Sequence, residues 1–231
     1  LIPGLIIGSR LRADEKGNRH FDANGELMGD YEQGWERKIP KTYADVHGND
    51  WDCVMTIPEN GWGYAEKWMG HWKTTNELIE MTAQCVSLGG NFVVNFGPKG
   101  DGSFRPEEIK NAKEIGDWMK INNQAIYNCE YAGWEKQDWG YYTKKRGEDK
   151  VYMIVFNVPV SGSLKIKPAN NWVADKAYFL ASPQKRFVLE KLDAGASFIH
   201  LPKTMQVKQP FVIVVETKEG KQNQKEQKAK T

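Results

Sequence analysis

The chain has 231 residues, 40% of them hydrophobic and 12% aromatic, which suffices for one large folded domain or two modest ones and is too much for a disordered chain. Its 32 basic and 30 acidic residues leave a net charge of +2, without the basic excess of a nucleic-acid binder, and its longest apolar runs, such as Val151–Val158, are far shorter than the roughly 20 residues of a membrane helix. Cys53, Cys85 and Cys129 are widely spaced and form no CxxC or Cys/His cluster, and the four histidines are scattered, so the cysteines read as buried free thiols and no metal set emerges.

In chain order, Leu1 to Gly8 lacks an initiator Met, a basic leader and a small-residue cleavage site. It reads as a loop entering a buried strand over Leu5–Ile7, as if the chain began within a fold, and not as a signal peptide. Arg10 to Asp50 is polar and rich in Gly, Asp and Asn, and reads as one connection whose length marks it as functional. Cys53–Ile57 is a second buried strand, ended by Pro58. Thr74–Leu88 has apolar residues at helical spacing, with Thr74 or Thr75 to cap its start and Gly89-Gly90 its end. Asn91–Phe96 is a third strand, apolar enough to be covered on both faces. Gly97–Gly102 lacks the spacing of a phosphate-binding loop and reads as a plain strand-to-helix turn. Pro106, Glu107 and Glu108 open a further helix with Ile109, Ala112, Ile115 and Met119 on its buried stripe. The alternation of short strands with helices points to parallel βα units in which the three strands are neighbours.

After about Tyr131 the helical period is lost. Val151–Val158, Ser163–Ile166, Ala177–Leu180, Arg186–Leu189, Ser197–Leu201 and Phe211–Glu216 read as short strands between turn residues, the pattern of an antiparallel β-sandwich. The fold class is therefore α/β plus all-β, with residues 1–131 and 132–217 as two domains and 218–231 as a disordered polar tail.

Two clusters carry candidate chemistry. Gly29-Asp30-Tyr31-Glu32-Gln33-Gly34-Trp35-Glu36 packs three carboxylates and two aromatics into eight positions. On composition alone it reads first as a solvated acidic loop; it also suits a glycosidase, whose general acid is a carboxyl group with its pKa raised by apolar surroundings. Asn60-Gly61-Trp62-Gly63-Tyr64 lies just past the second strand, where flanking glycines leave an indole free to face a sugar or to pack under a loop.

Taken in order, several blocks resemble glycoside hydrolase family 29, the α-L-fucosidases. They are Gly29-Asp30-Tyr31-Glu32 with Ile39-Pro40 downstream, Trp51-Asp52-Cys53-Val54-Met55-Thr56-Ile57, Gly61-Trp62-Gly63-Tyr64, Gly89 to Pro98, Asp101-Gly102, and Asn122-Asn123-Gln124-Ala125-Ile126-Tyr127. The likeness covers roughly residues 4–131 and continues more weakly through the β-rich remainder. It implies the C-terminal part of a (β/α)8-like barrel followed by a β-sandwich. The implied activity is hydrolysis of α-L-fucosides with retention, through a covalent fucosyl-enzyme. The family's nucleophile, an Asp in a Trp-x-Asp motif, has no counterpart here and is expected in an upstream barrel segment, leaving this chain inactive by itself. The general acid/base matches Glu36, shortly before Ile39-Pro40. The block is one residue longer than the family's pattern, so Glu32 is the reserve candidate.

Arg10 matches the family's fucose-contacting arginine, and Trp62 the aromatic packed on the sugar's methyl side. Asp52 stands where the family has Glu and receives no role. No cofactor or metal is implied. The implied partner is a fucosylated oligosaccharide or glycoconjugate, and the implied location is periplasmic or secreted. The rival readings are a non-catalytic fucose-binding protein and a glycosidase of other sugar specificity.

Overall fold

The computed structural model describes residues 3–12, 20–46, 48–59, 61–67, 70–202, 205 and 208–220. They form two compact units, Leu1–Lys120 and Ile121–Thr231. No helix among the described residues is long and apolar enough to cross a membrane.

The first unit is built on three parallel strands, β1 (Glu32–Glu36), β2 (Trp51–Thr56) and β3 (Asn91–Asn95), in that order across the sheet. Helix α1 (Thr75–Ser87) joins β2 to β3, and α2 (Pro106–Asn122) follows β3. A capping box starts α1: Glu77 N–H donates to Thr74 Oγ1, and Thr74 N–H donates to the Glu77 carboxylate at 2.8 Å. Two glycines end it. The Gly90 N–H bonds back to the Cys85 carbonyl and that of Gly89 to the Val86 carbonyl, while Gly89 takes φ +79, the left-handed closure that favours glycine. The helix lays Cys85 and Met81 against Val46, Trp51, Cys53 and Met55, with Trp35, Ile39, Leu88 and Phe92 at the rim. All three cysteines are buried and free.

Three expectations need correction. Leu5–Ile7 is not a buried strand: Leu5 and Ile6 are 56% and 71% exposed. Ile7 bonds to Asp30 through both its N–H, at 2.7 Å to the carboxylate, and its carbonyl, at 2.8 Å from the Asp30 N–H, and Gly8 forms an isolated parallel bridge to Tyr31 before the chain turns into a 3-10 helix at Ser9. The stretch from Arg10 to Asp50 is not one connection, because β1 lies inside it. Its sequence, Glu-Gln-Gly-Trp-Glu, hides it from a hydrophobic pattern, since four of five residues are polar or glycine. The stripe along α2 is rotated: Ile109 and Ala112 are exposed, while Glu108, Asn111 and Trp118 are buried. Buried polar groups there are bonded. Glu108 accepts from the Gly97 N–H at 2.8 Å, and Asn111 donates to the Lys73 carbonyl at 3.0 Å.

Among its described residues the second unit holds nine antiparallel strands: β4 (Cys129–Glu130), β5 (Gly140–Lys145), β6 (Lys150–Val155), β7 (Ser163–Ile166), β8 (Trp172–Phe179), β9 (Ser182–Phe187), β10 (Leu189–Lys191), β11 (Ser197–His200) and β12 (Phe211–Glu219). They make a six-stranded sheet, β4-β5-β6-β12-β8-β9, and a three-stranded one, β10-β11-β7. Leu164, Ile166 and Ile199 of the small sheet share one core with Met153, Val155, Ile213 and Val215 of the large one, the sandwich arrangement. Trp139 Nε1–H reaches across to the Lys165 carbonyl at 2.9 Å. Strand β5 escapes the hydrophobic pattern because Thr143, Lys144 and Lys145 dilute it. Lys218 and Glu219, read from sequence as the start of the tail, extend β12 by pairing with β8. Residues 221–231 lie outside the described residues.

Candidate active site

Strand β1 contains a bulge that decides which way its carboxylates point. Glu32 pairs with Trp51 and Trp35 with Cys53, so three steps along β1 oppose two along β2 and the alternation of faces slips by one. Glu32 and Trp35 therefore share the helix-covered face with Trp51 and Cys53. Trp35 packs edge-on to Trp51, with ring centroids 6.4 Å apart. Glu36 pairs with Val54 and leaves the sheet on the opposite face. By the same alternation that face carries Asp52, Val54, Asn91, Val93 and Asn95.

Glu36 is the last residue of β1. Immediately after it Arg37 takes φ +55 while its N–H still donates to the Val54 carbonyl at 2.9 Å, a left-handed residue of the kind concentrated at functional turns. Arg10 reaches Glu36 from the 3-10 turn Ser9–Arg12. That turn is held by the Ser9 N–H on the Tyr31 carbonyl at 3.0 Å, by the Gln33 N–H on Ser9 Oγ at 3.0 Å, and by a Ser9 Oγ–His20 Nδ1 hydrogen bond of 2.9 Å. Arg10 Nη2 donates to Glu36 Oε2 at 2.6 Å, and the two side chains are 44% and 34% exposed. A short charge-assisted bond at the C-terminal ends of parallel strands sits where βα barrels place their chemistry. Asp52 lies on the same face. Burial pushes its carboxyl above the ordinary value of 3.8, and the positive charge of Arg10 offsets part of that rise. Arg10 thus sits in reach of two carboxylates, bonded to one and acting on the other through its field.

Glu32, by contrast, is 5% exposed. A Cβ added to Gly34 would lie 3.5 Å from Glu32 Oε1 and 3.2 Å from the His20 ring, which fixes the two side chains close together beside the strand. The two candidate acids are on opposite faces of the sheet.

Trp62 lies in the excursion between β2 and α1; Asn60, grouped with it in the sequence, is outside the described residues. The excursion is closed at its neck by a bridge between Pro58 and Trp72 and by the Lys73 N–H on the Ile57 carbonyl at 3.1 Å. Its far part is tied to the end of β3. Asn95 Nδ2 donates to the Trp62 carbonyl at 2.6 Å. Gly97 comes so close to Gly63 that a Cβ there would lie 2.9 Å from the Gly63 carbonyl carbon. Trp62 and Tyr64 are 37% and 39% exposed. The hollow beneath them, walled by Pro58, Trp72, Asn95 and Glu108, measures about 10 Å³, room for one water and not for a sugar ring. Sequence reasoning assigned Asn95, Arg105 and Glu108 no part in anchoring this loop, Glu108 being read only as a helix-opening acid; the one signal was the Asn-x-Gly-Pro ending of the third strand. Gly97–Gly102 is a plain turn, with the Lys99 N–H on the Ser103 carbonyl at 2.8 Å.

The family model described as alpha-L-fucosidase matches residues 5–124. A crystal structure of a bacterial fucosidase with a triazole-bearing pyrrolidine inhibitor has a TM-score of 0.88 and 46% identity over 95% of this chain and 49% of that one. A glycoside hydrolase family 29 α-L-fucosidase from Bacteroides thetaiotaomicron, trapped as a covalent intermediate with 2-fluoro-fucosyl fluoride in a Glu-to-Gln mutant, has a TM-score of 0.87 and 46% identity over 94% of this chain and 50% of that one. Human plasma alpha-L-fucosidase is 35% identical over 122 residues, 49% of this chain and 25% of its own length. The chain spans about a quarter of the length of the curated relatives it matches and about half that of the solved structures.

Proposed function

The chain belongs to the α-L-fucosidase family, glycoside hydrolase family 29, and from that premise we propose that it carries the acid/base end of a retaining α-L-fucosidase active site. Glu36 protonates the leaving oxygen and then deprotonates the attacking water. Arg10 orients Glu36 and contacts fucose, and Trp62 offers its ring to the sugar's methyl side. Residues 1–131 belong to the catalytic barrel and 132–217 to its sandwich. The nucleophilic carboxylate, which a retaining enzyme needs about 5–5.5 Å from the first, comes from an upstream barrel segment. The substrate is an α-L-fucosylated oligosaccharide or glycoconjugate.

The observation that supports this reading most is the Arg10–Glu36 bond, formed on the face opposite the helix layer and at the C-terminal strand ends. It separates the half-buried Glu36 from the buried Glu32, which a proton-transfer role does not suit. The test is hydrolysis of an aryl α-L-fucoside against an aryl β-D-galactoside by the chain joined to its upstream segment. Turnover confined to the fucoside and lost in Glu36→Gln supports the proposal. Binding of fucose without any turnover replaces it with the carbohydrate-binding reading.

A further inference from the structure

We propose that Arg105 is a positioning residue for the sugar-facing loop, acting through Trp62; the inference rests on the reading of Trp62 as the wall of the fucose site. Residues 61–67 have no regular secondary structure and are all exposed. Apolar burial therefore does not hold them, and an unanchored segment of this length would lose its conformation to chain entropy. What holds them is polar and comes from the end of β3, where Asn95 donates to the Trp62 carbonyl, and from the turn that follows it.

Arg105 is the centre of that anchor. Its Nη2 donates to the Ala65 carbonyl and, at 2.8 Å, to the Glu66 carbonyl. Its guanidinium carbon stands 4.5 Å from the centroid of the Tyr64 ring, within the range of a cation–π contact. The arginine is itself fixed. Glu108, 2% exposed, accepts from the Arg105 N–H at 3.3 Å with one oxygen and from the Gly97 N–H at 2.8 Å with the other. Gly97 is the residue pressed against Gly63. The segment from Gly97 to the first turn of α2 thus grips the loop directly after Trp62: at Gly63 through Gly97, and at Tyr64 to Glu66 through Arg105. A planar fork that stacks and donates at once is specific to arginine; lysine keeps the charge over Tyr64 but not the paired geometry.

The experiment uses the complete enzyme proposed above, with Arg105→Lys, Arg105→Met, Trp62→Ala and the Arg105→Lys/Trp62→Ala double variant. Arg105→Lys is expected to speed amide exchange across residues 61–67 and to raise KM for an aryl fucoside about tenfold with kcat within about twofold, as for a binding contact misplaced without damage to the chemistry. Arg105→Met does so more strongly. In the Trp62→Ala background Arg105→Lys adds nothing further to KM, because the group it positions is gone. Faster exchange with KM unchanged, while Trp62→Ala alone raises KM, overturns the positioning role and leaves the sugar-wall reading standing. If Trp62→Ala leaves KM unchanged, the sugar-wall reading itself has failed, and the positioning role falls with it. Additive effects of the two substitutions also overturn it, since Arg105 would then act by another route.

Discussion

Replacing Glu36 with Gln removes one proton-transfer group and one negative charge while leaving the side-chain volume nearly unchanged. Its structural cost is small. The Arg10–Glu36 bond is short, 2.6 Å, but the two side chains are 44% and 34% exposed, and exposed ion pairs contribute about 0.2–1 kcal/mol. Against a folding free energy of about 5–15 kcal/mol, that leaves the variant folded. The chemical cost is larger. General-acid assistance is worth about 10²–10⁴ in rate, or about 2.7–5.4 kcal/mol of transition-state stabilisation. The kinetic effect therefore exceeds the stability effect several-fold, and lost activity is not lost fold. The loss should depend on the leaving group: severe for a sugar, which departs only with a proton, and mild for a nitrophenolate, which departs without one. Azide should restore turnover of the activated substrate, since an anionic nucleophile needs no base. The assay is a series of aryl and glycosyl α-L-fucosides with and without azide, run on Glu36→Gln and Glu32→Gln of the complete enzyme. Glu32 is 5% exposed on the helix-covered face, so its replacement should lower stability without leaving-group dependence. Leaving-group dependence and azide rescue in Glu32→Gln, with Glu36→Gln behaving as wild type, would refute the assignment.

Three further outcomes follow from the same geometry. The purified chain alone should show no Glu36-dependent turnover of aryl fucosides, because retention requires a second carboxylate; a clear rate abolished by Glu36→Gln would contradict this. Gly90→Ala should destabilise the first unit, because the added Cβ would lie 2.1 Å from the ring of Trp51, which is 1% exposed and pinned by its Nε1–H to the Leu88 carbonyl. Overpacking of this kind costs about 1–3 kcal/mol, read as a fall of several degrees in Tm, and an unchanged melting curve would show that the ring yields freely. For Asp52, burial raises the folded carboxyl above 3.8 and Arg10 only partly offsets the rise. The folded state then holds its proton to higher pH than the unfolded state, so this residue's effect on stability worsens as pH climbs from the ordinary value through the raised one. Asp52→Asn has no such titration and should gain on wild type at neutral pH relative to pH below 3.8; urea unfolding at both pH values that shows the same difference at each would defeat the argument.

The sequence by itself determined the elements whose signals are local. Helix α1 follows from its apolar spacing, Thr74 and the Gly89-Gly90 stop; β2 and β3 follow from short continuous apolar runs, although the expected cover on both faces of β3 is not found, since Asn91 and Val93 are exposed. The sandwich follows from short strands between turn residues, and Glu36, Arg10 and Trp62 were named from blocks of residues in order. Strand β1 was out of reach of that reasoning. Glu32 is buried on the strand's covered face and Glu36 lies on the face that carries the candidate chemistry, so the hydrophobic pattern that announces a strand is missing where the site lies. The same holds for the choice between Glu32 and Glu36. Four positions apart in sequence, they look equivalent, and strict alternation would put them on the same face. Only the bulge opposite Trp51 and Cys53 puts one on the side of Trp51 and the other toward Arg10. Register is a property of two strands, not one, so no reading of the β1 segment alone could supply it. The anchoring of the Trp62 loop by Arg105 and Glu108 is decided in the same way, by contacts between residues some forty positions apart that only the tertiary fold brings together.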